Sequence, residues 1–589
     1  MKHYPRFPAD FSSSASLALL SAALFTCSLS AQVTLPVDGT FDFYSNVTYD
    51  GSVSSIEQTI TGPTVWRIAD GVIVRVQNNN ATHSGGLFGA AATSFTIEPM
   101  GTTGRVVFEG NTTTNEGPVF QLGNSSPARL YVTNADFIRN QANQAAGAVS
   151  EGGGVIRAAS GAGAIELVDC LFLENRARHG GVFWSAASMD ITRSTFIGNY
   201  ADRQQATGTL LANVNAGHGG VGTLGHSAVR VAIIRESDFT RNWAARGGGV
   251  IATRNRYSVE LWDTVGFTDN FAGFGGVISD ATNFLEPGDG ILLKYTGTTG
   301  VTDFVYSGNR AKGAELTAAE INLAKQSGPN DESWAVPFTP AAKGGGFYYS
   351  GQFNSAGTTQ TQLRFDIATG VTVQIGQAGN PSAWDSIATS DETGEGSVLS
   401  LTGTGAGRLI LHADNSYFQG TVDVGTGSLI LGNQDARLGG VINVASGATF
   451  GGAGTLITHK QNGSVFANRT SLTLASGANL VVGTETANTG ETLTVFGNVN
   501  AGAGVVFNHD LFSDDTSSKL WAENLSFAGP ATINLGLLSS GTFTLMEWAG
   551  TGIDAGAFSN LTLTIDGVQG SSRADAALSL DGNTLKVDA

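Results

Sequence analysis

The chain has 589 residues, of which 80 are glycine, 13 proline and only 14% charged, with a formal net charge of −18. That charge excludes recognition of a nucleic-acid backbone by massed Lys and Arg, because each phosphate contact needs a cation. Long runs of helix formers are few, and alternation such as "RLYVTNADF" (129–137) and "VRVAIIRESDF" (229–239) predicts an all-β chain.

At the amino end Lys2, His3 and Arg6 precede the apolar run "LALLSAALFTCSLSA". This is the layout of a secretory signal peptide over residues 1–31, cleaved after Ser30 or Ala31, and it predicts export. Phe25 and Thr26 before Cys27 are too bulky for a lipoprotein signal. Cleavage leaves Cys170 alone, so no intramolecular disulfide is expected; its small side chain reads as buried rather than as a reactive thiol. No later stretch reaches 18 uninterrupted apolar residues, so no membrane-spanning helix is expected. Residues 32–84, with "VTLPVDGTFDFYSNVTYDG", are expected to form an amino-terminal cap and the first coils.

From residue 85 to 365 one unit repeats. A Phe-x-x-Asn element occurs at Phe108 and Asn111, Phe137 and Asn140, Phe172 and Asn175, Phe196 and Asn199, Phe239 and Asn242, and Phe267 and Asn270. Tyr306 and Asn309 are a variant. Glycine pairs with a hydrophobic step follow at Gly85, Gly153, Gly180, Gly219, Gly248, Gly275 and Gly345, eight residues after the Phe in three units (172 to 180, 239 to 247, 267 to 275). A fixed period of this kind predicts a parallel β-solenoid with coils about 4.8 Å apart. Phe is expected to point inward onto the Phe of the next coil. Two residues earlier Ala135, Cys170, Ser194 and Ser237 share that face. Asn is expected at a left-handed corner, with its amide in a ladder, and glycine at the next bend. Two residues after Asn, Ala142, Ala177, Ala201, Ala244, Ala272 and Ala311 are expected to be small inward residues.

Residues 366–475 keep a strand–turn rhythm, as in "LTGTGAGRLILHADNSYFQGTVDVGTGSLILGNQDARLGG". Residues 476–589 read as further coils or a cap, and "LSLDGNTLKVDA" lacks the terminal aromatic of a barrel's last strand. The expected architecture is a right-handed parallel β-helix in one elongated stack without a membrane barrel.

The paired Phe-x-x-Asn and Gly-Gly-x-Ile motifs over residues 85–350 resemble the passenger repeats of polymorphic outer-membrane proteins, which are autotransporter-like. Residues 401–440 resemble an autotransporter-associated β-strand repeat. The resemblance implies a surface-displayed or extracellular passenger associated with the outer membrane, with adhesion to an unknown surface protein or glycan as its role. No cofactor or metal is expected, since zinc-ligand spacing and calcium-binding nonapeptide repeats are absent from the sequence.

A parallel β-helix also accommodates polysaccharide-cleaving enzymes. "GHG" at 217–219 is similar to one element of the pectin-hydrolase pattern, but no grouped aspartates surround His218, and a histidine before a repeat glycine pair explains it. Serine-hydrolase elbows, His-Glu-x-x-His and phosphate-loop patterns are absent. No catalytic residue is assigned; a glycan-active β-helix enzyme and a structural envelope-layer component are the alternatives. What the scaffold would display is the residue after each Asn, where Tyr200, Trp243 and Phe271 form an aromatic stripe flanked by Arg176 and Arg310. Arg203 and Arg246 lie beside it. Sugar rings or a partner protein would stack there; mutual covering of the corner is the plainer reading.

Overall fold

Rings of successive coils lie directly above one another. Phe108, Phe137, Phe172, Phe196, Phe239, Phe267 and Tyr306 are register partners in consecutive parallel strands. Their centroids are 4.6–5.1 Å apart and their planes within 9° of parallel. This is the interstrand spacing of a β-sheet, so the ring pile follows from the backbone ladder. The computed structural model describes residues 34–589 except 53–55, 82–85, 91–92, 115, 124–127, 143–151, 160–161, 205–209, 211–215, 263, 281–289, 298–302, 328–335, 342–343, 350–361, 382, 390–397, 404, 458–459, 462–463, 466–470, 485–489, 513–515, 537–539, 566–567 and 570–575. The leader expected over residues 1–31 lies outside the described residues.

One coil illustrates the rest. Ile165–Val168, Leu171–Leu173, Arg176–Ala177 and Phe183–Ser185 are four strands separated by bends. Each pairs in parallel with its equivalent in the next coil, from Met189–Thr192 to the start of Gly222–Arg235. Repeated along the chain, this joins 46 described strands into one sheet, while eight short corner strands form a second. The fold is a parallel β-helix, filled by one continuous apolar core from Leu35 to Val587. Its carboxy end turns back: Ala577–Asp581 and Thr584–Asp588 form a hairpin, and the latter strand runs antiparallel to Thr542–Trp548. Unpaired edge groups there gain partners within the chain. No helix among the described residues is long and apolar enough to cross a membrane.

The asparagines form the expected amide ladder. From Asn111 through Asn140, Asn175, Asn199, Asn242 and Asn270 to Asn309, each Nδ2 donates to Oδ1 of the next rung at 2.9–3.1 Å. From Asn140 onward the same Nδ2 also donates to the Phe carbonyl of the preceding coil. All seven side chains are fully buried, which is tolerable because donors and acceptors are matched. The expected left-handed conformation, however, is not on Asn. It belongs to the residue before it: Arg139, Glu174, Arg241 and Asp269 have φ of 53–55°, and Gly110, Gly198 and Gly308 take the same place. The bend is made one residue early so that the amide can point inward.

The last rung is Asp385, whose Oδ1 accepts from N and Nδ2 of Asn309 at 2.9 and 2.7 Å and whose Oδ2 accepts from Gly308 N at 2.8 Å. In the earlier coils the residue equivalent to Gly308 donates to a strand carbonyl, as Asp269 does to Ser307. After Ile375 the chain leaves that path, so a second carboxylate oxygen replaces the missing carbonyl. Burial pushes the Asp385 carboxyl up to about 7, against these donors.

The two glycines of each pair answer different needs. Gly180, Gly219, Gly248 and Gly275 have φ of 62–70°, where a side chain is strained. Gly181, Gly220 and Gly249 pass so close to the next coil that a Cβ would stand 2.0 Å from a glycine carbonyl oxygen.

Candidate functional site

The corner strands place the stripe in the expected register. Gln141, Arg176, Tyr200, Trp243, Phe271 and Arg310 are successive parallel partners. Tyr200 stacks on Trp243 at 4.6 Å, and Trp243 on Phe271 at 5.7 Å, with planes within 4°. Beneath them Ala201, Ala244 and Ala272 form their own small buried cluster.

Display does not follow from alignment. Trp243 is 2% exposed and Phe271 0%, because the chain leaves the coil path after Ala311 and lays a helix, Ala318–Gln326, across them. Leu316, Ile321 and Ala324 pack on Trp243 and Phe271, and Phe338 meets Phe271 edge-on at 5.7 Å. The reading of these two rings as an open stacking surface is therefore corrected: the chain covers its own apolar stripe. The helix begins with a capping box, in which Thr317 Oγ1 accepts from Glu320 N at 3.3 Å and Glu320 Oε2 accepts from Thr317 N at 2.7 Å. Its sequence signal was present as Thr-Ala-Ala-Glu at 317–320, followed by Ile321 and Ala324 on one face.

The flanking cations are likewise engaged. Arg203 and Arg246 both pair with Glu315 at the root of the helical segment, so they anchor it rather than line an open corner. Arg310 pairs with Asp269 at 3.1 Å and lies 4.1 Å over the Trp384 ring. Arg176 bonds buried Asp202 at 3.0 Å and sits 5.8 Å over the Tyr200 ring.

What remains accessible is the amino-terminal half of the stripe. A cleft of about 300 Å³ opens where the helix ends, lined by Arg139, Gln141, Glu174, Arg176, Tyr200 and Lys325. Tyr200 is half-buried, and that burial pushes its phenol up to about 12, so it enters the cleft as a neutral hydroxyl beside a guanidinium. A phenol edge, two guanidinium groups, an amide and a carboxylate can hold a polar ring by hydrogen bonds and edge contacts. Among the described residues no group of three or more His, Cys, Asp or Glu is placed to hold a metal ion. His218 stacks beside His179 at 6.4 Å in the repeat register. Cys170 is buried, with its thiol pushed up to about 12 by that burial.

No family model matches the chain. It is similar to the probable autotransporter YfaL of Escherichia coli strain K12, 26% identical over 402 residues. That alignment covers 66% of this chain and 26% of the relative, so the chain spans about a quarter of the length of the protein it matches. The parallel β-helix and this distant likeness together fit an autotransporter passenger-like chain.

Proposed function

We propose that the chain is an exported passenger-type β-helix, displayed at the cell surface or released, that adheres through the cleft at Arg176 and Tyr200 to a glycan on another surface. The observation that carries the reading is the unbroken parallel β-helix combined with the likeness to a probable autotransporter. A stack of this kind presents its corners at regular height, and function resides in what those corners offer. The cleft volume suits one or two sugar rings, Tyr200 offers its ring edge and neutral hydroxyl, and Arg139 and Arg176 give donors for hydroxyl or carboxyl groups of the sugar.

Two measurements test it. Fractionation of native cells and medium, with protease shaving of intact cells, is expected to find the protein outside the cytoplasm and to lose it from those fractions on deletion of residues 1–31. Glycan-array binding by the folded protein is expected to fall at least tenfold in Tyr200→Ala and Arg176→Ala. Cytoplasmic retention of the full chain would overturn the export reading, and unchanged array binding in both variants would overturn the cleft.

A further inference from the structure

Lys325, in the last turn of the helix Ala318–Gln326, reaches down to two residues that alternate along one extended segment of the solenoid. Its Nζ stands 2.7 Å from Oε1 of Gln204 and 2.5 Å from Oδ2 of Asp202. Asp202 and Gln204 are only 1% and 5% exposed. The Gln204 carboxamide is gripped at both ends, because its Nε2 also donates to Ala318 O at 3.1 Å. Burial draws the Lys325 amine below its ordinary value, with the nearby Arg176 charge acting in the same direction and Asp202 against it. A partly buried amine, a fixed carboxamide and a buried carboxylate are thus held together by the packing of the helix.

We propose that Lys325 and Gln204 become joined by an intramolecular isopeptide bond that the folded chain forms itself, with Asp202 carrying the protons. Asp202 takes a proton from the Lys325 ammonium, and the freed Nζ lone pair attacks Cδ of Gln204. The tetrahedral adduct passes a proton from Nζ through Asp202 to Nε2. The Cδ–Nε2 bond breaks and ammonia leaves, taking up the remaining proton as ammonium. One C–N bond forms and one breaks, nothing is oxidised or reduced, and no co-reactant is required. The fold supplies proximity that two free side chains lack.

The bond would replace the missing disulfide. Cys170 is the one cysteine beyond the expected leader, and the helical segment is otherwise held by apolar packing on Trp243 and Phe271 and by ion pairs of Glu315 with Arg203 and Arg246, the latter weakened by salt. A covalent link between positions 121 residues apart keeps the cover on Trp243 and Phe271 when those pairs fail.

The intact mass of the folded, leaderless protein decides it. The expected value lies about 17 Da below the sequence mass, the loss of one ammonia in nucleophilic displacement by lysine. Trypsin is expected to yield residues 204–230 linked to residues 313–343, with no cut after Lys325. Lys325→Arg and Asp202→Asn are expected to regain the full mass, to be cut after residue 325, and to give residues 204–230, 313–325 and 326–343 as separate peptides. A full-mass wild type whose Lys325 is acetylated after denaturation would overturn the proposal. So would a 17 Da loss that fragmentation places at an amino-terminal Gln32. Both outcomes are read on the wild-type chain, so a variant that fails to fold cannot obscure them, and neither depends on ligand binding.

Discussion

Asn242→Ala is the sharpest probe of what holds the stack together. The substitution leaves the backbone amide, so Asn270 Oδ1 keeps the Asn242 N–H at 2.9 Å. It removes Oδ1, which accepts from both N and Nδ2 of Asn199 at 3.0 Å, and Nδ2, which donates to Phe196 O at 2.9 Å. One backbone N–H and one amide hydrogen then lie orphaned in a fully buried row, and the Phe196 carbonyl keeps its place in the strand ladder but loses one donor. At about 1–3 kcal/mol for each orphaned group and about 1 kcal/mol for the lost bond, less some relaxation, the local cost is about 3–6 kcal/mol. A long stack does not unfold in one step, so a single melting temperature is the wrong readout. Hydrogen exchange followed by mass spectrometry reports the opening of individual coils. Amides in the strands Thr195–Ile197 and Asp238–Thr240 are expected to exchange roughly 10² to 10⁴ times faster, at tenfold per 1.4 kcal/mol. Asn443→Ala serves as control, since that amide meets only Asp423 at an exposed position and its loss is expected within about 0.5 kcal/mol. Protection in Asn242→Ala equal to that of the wild type would refute the assignment of stability to the amide ladder.

Gly249→Ala is expected to cost about 3 kcal/mol or more, because its Cβ would meet Gly276 O at 2.0 Å and force two coils apart. Gly71→Ala, with φ of 73° and nothing within 4 Å of the new methyl, is expected to cost only the conformational strain of about 1–2 kcal/mol; hydrogen exchange in the coils around each glycine checks the contrast. Glu315→Gln removes the shared partner of Arg203 and Arg246, and limited proteolysis is expected to cleave within residues 312–341 several-fold faster. His509 is buried and donates Nδ1–H to Ser518 O at 2.9 Å, and burial holds its pKa down at about 4 against an ordinary 6.5. Only the unfolded chain is protonated between those values, so this stabilisation is full above pH 6.5 and is lost as pH falls toward 4. The loss is about 3 kcal/mol by linkage, and denaturation of His509→Gln across that range is expected to lack this slope.

Much of the fold was legible because each recurring position has one physical task. Inward Phe, inward Ala two after Asn, and the small pair-partners Ser194 and Ser237 all occupy buried sites, as a period-two strand pattern requires. The left-handed residue was misplaced by one because Asn tolerates that conformation in isolation, whereas here its side chain is needed inside and Arg139, Glu174, Arg241 and Asp269 take the bend. The second glycine of each pair was legible as a glycine but not by its reason, since close approach of coils is a property of the stacked assembly. At the corner, the row from Gln141 to Arg310 could be aligned from repeat spacing alone. Its burial could not, because the cover comes from a helix starting at Ala318, roughly fifty residues beyond Phe271 and seventy-five beyond Trp243, whose local mark is the Thr317 and Glu320 box.

The amide ladder has a direction. Every Asn-to-Asn bond from Asn111 onward runs from Nδ2 to Oδ1 of the following coil, so the side-chain dipoles add head to tail rather than cancelling as strand dipoles tend to do. Positive potential accumulates where the row runs out, and it is there that the chain sets the carboxylate of Asp385. An anion at any interior rung would face the acceptors of its neighbours instead. The same residue exchange is therefore of opposite electrostatic sign at the terminus and in the middle, and the row carries its own record of which way the polypeptide was wound.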